Sequence, residues 1–199
     1  MDRKTSKQRT LHLVQLAILL ALVIVLQVFG SYLRIGPVNF TLVLIPVVLG
    51  GIMLGRKAGT FLGLVFGLVV LVMGLTGADG GFVLWLMADH PVLTVLLCVV
   101  KGVAAGMVPA CLYHLLKNKL KFGAVVIASA AAPLVNTGLF FLGSLLMLDT
   151  YGGNAAGQSA MYFLIFGCIG VNFIVELLLN IVVSPAVDRV VTVFKKRMR

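Results

Sequence analysis

The sequence predicts an all-α integral membrane protein with six transmembrane helices and with both termini in the cytoplasm. Two observations support this fold class. The chain is 61% hydrophobic and only 11% charged, whereas a soluble domain is about half apolar and about a quarter charged. Its basic residues also lie in alternate gaps between apolar segments, which is the positive-inside pattern of membrane proteins.

Lys and Arg precede the first apolar segment and follow the second, the fourth and the sixth. All but two of the 16 basic residues belong to these clusters, which are Arg3, Lys4, Lys7 and Arg9; Arg56 and Lys57; Lys117, Lys119 and Lys121; and Arg189, Lys195, Lys196, Arg197 and Arg199. The remaining gaps carry Asp79, Asp89 and Asp149, with Arg34 as their only base. The net charge of +10 therefore indicates topology and contact with anionic membrane lipid, and it does not indicate nucleic-acid binding.

A helical span needs about 20 mostly apolar residues. We expect spans at residues 11–29, 39–54, 58–74, 92–116, 123–148 and 159–183 of a single transmembrane domain, with basic cytoplasmic tails at 1–10 and 187–199. The first segment is longer than the apolar region of a signal peptide, so we expect it to be retained. Pro46 is expected to kink the second span or to cap a broken start.

The loop at residues 75–91 is the longest connection, and the charge pattern assigns it to the outer side. Its centre, residues 82–87, is apolar, so we expect a short interfacial helix in which Trp85 is an anchor.

Small residues recur at four-residue spacing on three of the spans. The strips are Ala17 and Ala21 on the first span, Gly59, Gly63 and Gly67 on the third, and Gly102 and Gly106 on the fourth. Such strips let a second helix approach closely, and either packing within the chain or docking of a partner would use them.

Lys101 is the one basic residue inside a span. It follows Val92 by nine residues, or about 13 Å of helix, which is near the middle of a hydrocarbon core about 30 Å thick. A lysine at this depth costs roughly 2.5–3.5 kcal/mol on insertion scales, so it needs a partner or a polar cavity. By helix rise Asn136 and Asn172 lie at similar depth, so we expect the three side chains to converge on one cavity.

Glu176 and Asn180 follow Asn172 at four-residue spacing and therefore share one helical face. Two interpretations remain open. Lys101 and Glu176 form a buried ion pair, with the Asn side chains as interhelical hydrogen bonds. Alternatively, Lys101 and one or more Asn line a solute pocket, and Glu176 balances the charge when the pocket is empty. The two arrangements can coexist.

Catalytic and metal-binding patterns are absent from the sequence. Residues 50–57 have two Gly at the spacing of a phosphate-binding loop, but Arg-Lys-Ala replaces Lys-Ser/Thr. There is no GxSxG elbow, no HExxH motif and no CxxC pair. We therefore expect neither an enzyme nor a bound cofactor or metal, and active transport would draw its energy from a partner or an ion gradient.

Several stretches resemble the substrate-binding S components of energy-coupling-factor (ECF) vitamin transporters, and the resemblance covers nearly the whole chain. The stretches are Leu33-Arg34-Ile35-Gly36-Pro37-Val38-Asn39-Phe40, Ile45-Pro46, Leu54-Gly55-Arg56-Lys57-Ala58-Gly59 and the AxxxA of Ala17 and Ala21. The resemblance implies high-affinity vitamin binding from outside a bacterial plasma membrane. It also implies association with a transmembrane coupling (T) subunit and two ATP-binding-cassette (ABC) ATPases.

Carried onto this sequence, the resemblance assigns solute binding to the outer loops and to the outer parts of spans four to six. The implied contacts are Arg34, Trp85, Asp89, His90, Lys101, Asn136 and Asn172, beside the charge-balancing Glu176. The implied partner interface contains Ala17, Ala21 and Gly63.

The sequence looks most like the pantothenate-specific branch of that family. Lys101 or Arg34 would pair with a carboxylate, and the Asn amides would meet hydroxyl and amide groups. Biotin and folate also carry carboxylates, however, and riboflavin would stack on Trp85 or on a Phe. An autonomous secondary carrier, in which Lys101 and Glu176 change partners during transport, is the alternative from a different class.

Overall fold

The computed structural model describes residues 3–32, 34–35, 38–39, 42–153 and 159–198, and this part of the chain is almost entirely helical. In chain order the elements are α1 (Arg3–Gly30), β1 (Arg34–Ile35), β2 (Val38–Asn39), α2 (Leu44–Leu54), α3 (Arg56–Leu75), α4 (Phe82–Asp89), α5 (Pro91–Leu116), α6 (Lys121–Leu145), α7 (Leu148–Gly153), α8 (Ala160–Tyr162), a π-helical segment (Phe163–Gly170) and α9 (Val171–Met198). The two short strands form an antiparallel ladder in which Arg34 lies opposite Asn39. The short helix predicted around Trp85 is confirmed as α4.

Within the described ranges, five helices are long and apolar enough to cross a membrane. They contain Gln8–Gly30, Arg56–Leu75, Pro91–Leu116, Phe122–Leu145 and Asn172–Phe194. The prediction of an all-α membrane protein is therefore confirmed. α2 has only 11 residues, or about 16 Å, which is about half of the hydrocarbon thickness. The sixth crossing and the side of the termini remain predictions.

The break between α2 and α3 follows from two residue types. Pro46 lies in the first turn of α2, where the missing N–H of proline leaves no helical acceptor unsatisfied. Gly55 separates α2 from α3 with φ of 96°, a conformation that favours glycine because it has no Cβ. The chain therefore reverses within one residue, and Arg56 begins the next helix.

Pro185 lies inside α9 without ending that helix. A proline cannot donate to the carbonyl four residues earlier, which here belongs to Ile181. The hydroxyl of Ser184 donates to that carbonyl at 2.7 Å. The side chain thus replaces the missing backbone donor, as is common in membrane-spanning helices.

α3 and α5 share the most extensive helix contact in the described part, and glycine makes it possible. The facing pairs are Gly59 with Gly106, Gly63 with Gly102 and Gly67 with Cys98. A Cβ added to Gly67 would lie 2.5 Å from the Cys98 carbonyl oxygen, and one added to Gly63 would collide with the Gly102 carbonyl oxygen. The double GxxxG strip is therefore used in packing within this chain.

Among the residues that the structure describes, buried apolar side chains form two separate clusters. The large cluster includes Leu62 and Phe66 of α3, Ala105 of α5, Val125 and Ala132 of α6, and Val187 of α9. The small cluster is formed by Leu86 of α4, Leu97 of α5, Phe140 of α6, Met147 and Leu164. The region between the two clusters holds the candidate site.

Candidate functional site

Lys101 lies on α5 midway between Leu97 of the small cluster and Ala105 of the large cluster. Its side chain is half-buried. The ammonium Nζ lies 5.3 Å from the centre of the Phe140 ring on α6. A cation in this position is attracted by the negative face of the aromatic ring. The contact directs the Lys101 side chain toward α6.

Asn136 occupies the corresponding position on α6, midway between Ala132 and Phe140. The residue is 7% exposed, and its Oδ1 is buried and accepts no hydrogen bond from the described part of the chain. A buried oxygen without a donor costs roughly 1–3 kcal/mol. Because Phe140 follows Asn136 by about one turn, Asn136 lies on the same face of α6 as the ring that Lys101 contacts.

α9 contributes a stripe of buried polar residues at four-residue spacing, consisting of Asn172, Glu176 and Asn180. The Nδ2 of Asn180 donates to the backbone oxygen of Glu176 at 2.9 Å, so this amide is used within the helix. The candidate site residues of α9 are therefore Asn172 and Glu176, which are 6% and 5% exposed. We call Lys101, Asn136, Asn172 and Glu176 the polar layer.

The polar layer is distributed over three helices that pack side by side. α6 packs extensively against both α5 and α9. Lys101 on α5 and Glu176 on α9 therefore belong to two helices that both neighbour α6, which carries Asn136. The Lys101 ammonium contacts the Phe140 ring of α6.

Trp85 of α4 connects to the polar layer through two phenylalanines. The ring centres of Phe82 and Trp85 are 5.7 Å apart, and those of Phe82 and Phe140 are 6.1 Å apart. Both distances are typical of aromatic pairs, which prefer tilted or offset arrangements. A continuous series of side chains thus runs from Trp85 through Phe82 and Phe140 to Lys101.

Asp79 fixes the start of α4. Its Oδ1 accepts a hydrogen bond from the backbone N–H of Gly81, and its Oδ2 accepts one from the N–H of Val83, both at 2.9 Å. These bonds satisfy donors that would otherwise be orphaned at the helix N-terminus. The carboxylate of Asp79 is 6% exposed and therefore supports the loop that positions Trp85.

His90 and Asp149 form a second group of polar side chains, which with Asp89 we call the rim. His90 Nε2 lies 3.0 and 3.1 Å from the two carboxylate oxygens of Asp149. The hydrogen bond from His90 lowers the pKa of Asp149 below its ordinary value, and the charge of a protonated His90 acts in the same direction. Asp89 is exposed at the end of α4.

The rim and the polar layer lie at different heights. His90 directly precedes α5, and the hydroxyl of Thr94 donates to the His90 carbonyl at 2.8 Å in the first turn. Lys101 lies ten residues after Pro91, or about 15 Å farther along the helix. The structure therefore brings Trp85, Lys101 and Asn136 into one connected region and leaves Asp89 and His90 above it.

Arg34 lies in β1 between α1 and α2, but its side chain is outside the described part of the chain. Within the described ranges, no group of three or more His, Cys, Asp or Glu side chains could hold a metal ion.

Three side chains of this region were not predicted as site residues from the sequence, namely Phe82, Phe140 and Asp149. Phe140 had a usable signal, because it follows Asn136 at the spacing that places two residues on one helical face. In the sequence, Asp149 is identifiable only as an acidic residue between two apolar segments on the predicted outer side. Its pairing with His90, 59 residues earlier, depends on the tertiary fold.

Comparison with known families identifies the class of protein. The family model described as "ECF transporter, substrate-specific component" matches residues 11–187. The chain belongs to this family. The resemblance seen in the sequence is thus confirmed: this S component is a multi-pass membrane subunit for vitamin uptake, and it is not an enzyme.

A named relative of this S component extends over nearly the same length. The pantothenic acid transporter PanT of Lactococcus lactis subsp. cremoris (strain MG1363) is 25% identical over an alignment 195 residues long, and the match covers 92% of this chain and 94% of PanT.

The small-residue strips of this S component differ in accessibility. Ala17 and Ala21 of α1 are exposed. Gly63, which the sequence had suggested for the same partner interface, is buried against Gly102 of α5. In this structure Gly63 is therefore covered by the chain's own helix, whereas the AxxxA strip is accessible.

Proposed function

We propose that this S component binds pantothenate at the polar layer. Pantothenate is the substrate named for PanT, which aligns with nearly the whole chain. The observation that carries the assignment of the site is the Lys101 ammonium over the Phe140 ring, one turn from the buried Asn136 oxygen. An ammonium and an amide at this depth provide a charged partner and a hydrogen-bonding partner away from water.

The chemistry of pantothenate fits these groups. Its carboxylate would pair with Lys101. This contact is stronger than a neutral hydrogen bond because both partners are charged. Its hydroxyl and amide groups would bond with the side chains of Asn136 and Asn172. Its methyl groups would pack against Phe82 and Trp85. Glu176 would balance the charge of Lys101 when the site is empty.

The rim is proposed as the entrance to this site. Asp89, His90 and Arg34 belong to loops that the charge pattern assigns to the outer side, and a solute would pass them before it reaches Lys101. This arrangement assumes the six-span topology, in which α2 and the residues just before it form a short crossing. Both termini then lie in the cytoplasm, and the membrane is the plasma membrane of a bacterium.

We also propose the partners that the family implies, which are a transmembrane coupling (T) subunit and two ABC ATPases. The exposed AxxxA strip of Ala17 and Ala21 would provide the docking surface, because small residues let a second helix approach closely. Gly63 would support the fold rather than the partner, since it is buried against α5.

The assignment is tested by isothermal titration calorimetry of the purified chain with pantothenate, biotin, folate and riboflavin. We expect measurable affinity for pantothenate alone. Tight binding of another vitamin and none of pantothenate would contradict the substrate while leaving the family assignment intact. Mass spectrometry of the solute that co-purifies with the chain provides an independent check.

A second experiment separates a subunit from an autonomous carrier. Liposomes containing the chain alone, and liposomes containing the chain with the T subunit and ATPases, are compared for uptake of labelled pantothenate. We expect ATP-dependent uptake only with the complete complex. Full gradient-driven uptake by the chain alone would instead support the secondary carrier.

A further inference from the structure

An open groove of about 830 Å³ lies at the end of the molecule opposite the rim. α1 contributes His12 and Leu16, the start of α3 contributes Arg56 and Lys57, and the end of α5 adds further side chains. The groove is separate from the polar layer, because it lies at the end of α5 that is remote from His90. The proposed vitamin site does not use it.

The charged side chains of the groove are all basic. Arg56, Lys57 and Lys117 are exposed cations, and the Nζ of Lys117 lies 3.3 Å from His114 Nδ1. No carboxylate lines the groove within the described part of the chain. An open site with three cations and no lining acid is complementary to an anion.

The position of Arg56 and Lys57 strengthens the preference for an anion. Both occupy the first turn of α3, and no side chain caps that helix. A helix N-terminus carries a partial positive charge, so basic residues there add to the charge instead of offsetting it. The N-terminus of α3 and the side chains of Arg56 and Lys57 therefore all attract a bound anion.

The apolar side chains of the groove distinguish a lipid from a free anion. Leu16 and Phe61 belong to the lining, and Phe61 is 42% exposed. A free phosphate would gain nothing from these side chains. A phospholipid would place its phosphate against the cations and its acyl chain against the apolar side chains.

We propose that this groove binds an anionic phospholipid of the cytoplasmic leaflet. Arg56, Lys57 and Lys117 hold the phosphate-bearing headgroup, and Phe61 and Leu16 contact the acyl chain. The leaflet rests on the proposed topology, in which the basic ends of these helices face the cytoplasm, where anionic lipids attract Lys and Arg. The binding itself does not depend on which vitamin the protein carries.

The test uses native mass spectrometry of the full chain after exchange into phosphatidylglycerol or phosphatidylcholine. We expect retention of phosphatidylglycerol at least about tenfold above that of phosphatidylcholine, and loss of this preference in the double variant Arg56→Gln and Lys57→Gln. The matched control, Lys119→Gln with Arg189→Gln, removes the same charge from exposed positions outside the groove and should retain the lipid.

The outcomes separate the possible occupants. Undiminished retention by the groove variant would overturn the proposal. Displacement of phosphatidylglycerol by millimolar inorganic phosphate would also overturn it, since the site would then be specific for a small anion. Normal lipid retention with failed co-purification of the T subunit would instead assign the groove to a protein partner.

Folding of the groove variant is checked by pantothenate calorimetry, which reports on the polar layer around Lys101, away from the groove. If that variant fails to fold, Arg56→Lys with Lys57→Arg retains the charge and Phe61→Ser removes the apolar contact. We expect the first of these variants to keep the lipid and the second to lose it. Equal retention by the two would contradict the lipid-binding groove.

Discussion

His90 and Asp149 are 59 residues apart in the chain and in contact in the fold, with the imidazole Nε2 within 3.1 Å of both carboxylate oxygens. The contact joins the start of α5 to α7, which follows α6. It therefore spans the open end of the two helices that carry Lys101 and Asn136. The pair is positioned to hold the rim together above the polar layer.

We expect the contact between His90 and Asp149 to weaken in acid. The pKa of Asp149 is lowered in the folded protein, chiefly by the hydrogen bond with His90. The stabilisation is therefore present above the unfolded pKa of about 3.9 and is lost as the pH falls through the lower, folded pKa. Thermal melts of wild type and Asp149→Asn in nanodiscs should differ slightly near neutral pH and converge below about pH 4. Asp89→Asn is the matched control and should not show this convergence; a constant offset for Asp149→Asn at all pH values would contradict the prediction.

Lys101→Ala should weaken pantothenate binding at least about tenfold, or about 1.4 kcal/mol, because the ligand carboxylate loses its charged partner. Calorimetry on folded protein measures the change. Lys119→Ala removes an exposed lysine after α5 and should leave the affinity unchanged. If Lys101→Ala binds as wild type does, Lys101 is structural.

Phe140→Leu should weaken binding through Lys101, since it removes the ring beneath the ammonium but keeps an apolar side chain. A cation–π contact contributes about 0.5–2 kcal/mol, so we expect a loss of several-fold in affinity. The effect should largely vanish in the Lys101→Ala background, which a double-mutant cycle by calorimetry detects. Additive losses would show that Phe140 acts independently of Lys101.

Ala17→Trp should spare pantothenate binding and block assembly with the T subunit. The bulky ring would prevent the close helix approach that the exposed AxxxA strip permits. Co-purification with the T subunit and ATPases measures assembly. Leu134→Trp places the same ring at an exposed position of α6 and should assemble normally. Normal assembly of Ala17→Trp would refute the docking role of this strip.

Gly63→Ala should destabilise the protein by roughly 1–3 kcal/mol, because the new methyl group would overlap the backbone carbonyl of Gly102. Gly138→Ala is the matched control on α6, where an added Cβ meets nothing within 4 Å. That change should be neutral or slightly stabilising. Unfolding in detergent followed by circular dichroism compares the two variants, and equal stability would contradict the tight α3–α5 contact.

Much of the fold was predictable because membrane helices follow local composition. Runs of apolar residues identify the long helices, and the basic clusters predict their orientation. The shortness of α2 was less visible, since the apolar run before Leu44 looks the same whether or not it is helical. Pro46 indicates that α2 begins close to it, because proline is tolerated in the first turn of a helix and not in its interior.

From the sequence, only the depth of the candidate site residues along their helices could be predicted. Helix rise assigns Lys101, Asn136 and Asn172 to one level, because residue number along a helix is proportional to height. That relation does not fix how each helix is rotated about its axis or which helices lie beside it. The sequence therefore could not choose between a partner for Lys101 on α9 and one on α6, and Phe140 was overlooked.

The sequence by itself determined the class of the molecule, its long helices and the family to which it belongs, and it predicted a common level for Lys101, Asn136 and Asn172. The tertiary structure decided that the Gly63 strip packs against α5 while Ala17 and Ala21 stay exposed, that Lys101 meets Phe140, and that His90 meets Asp149. The physical reason is that patterns of hydropathy and charge follow the order of residues along the chain. Contacts between helices depend instead on register and rotation, which are set by the packing of side chains from distant parts of the chain.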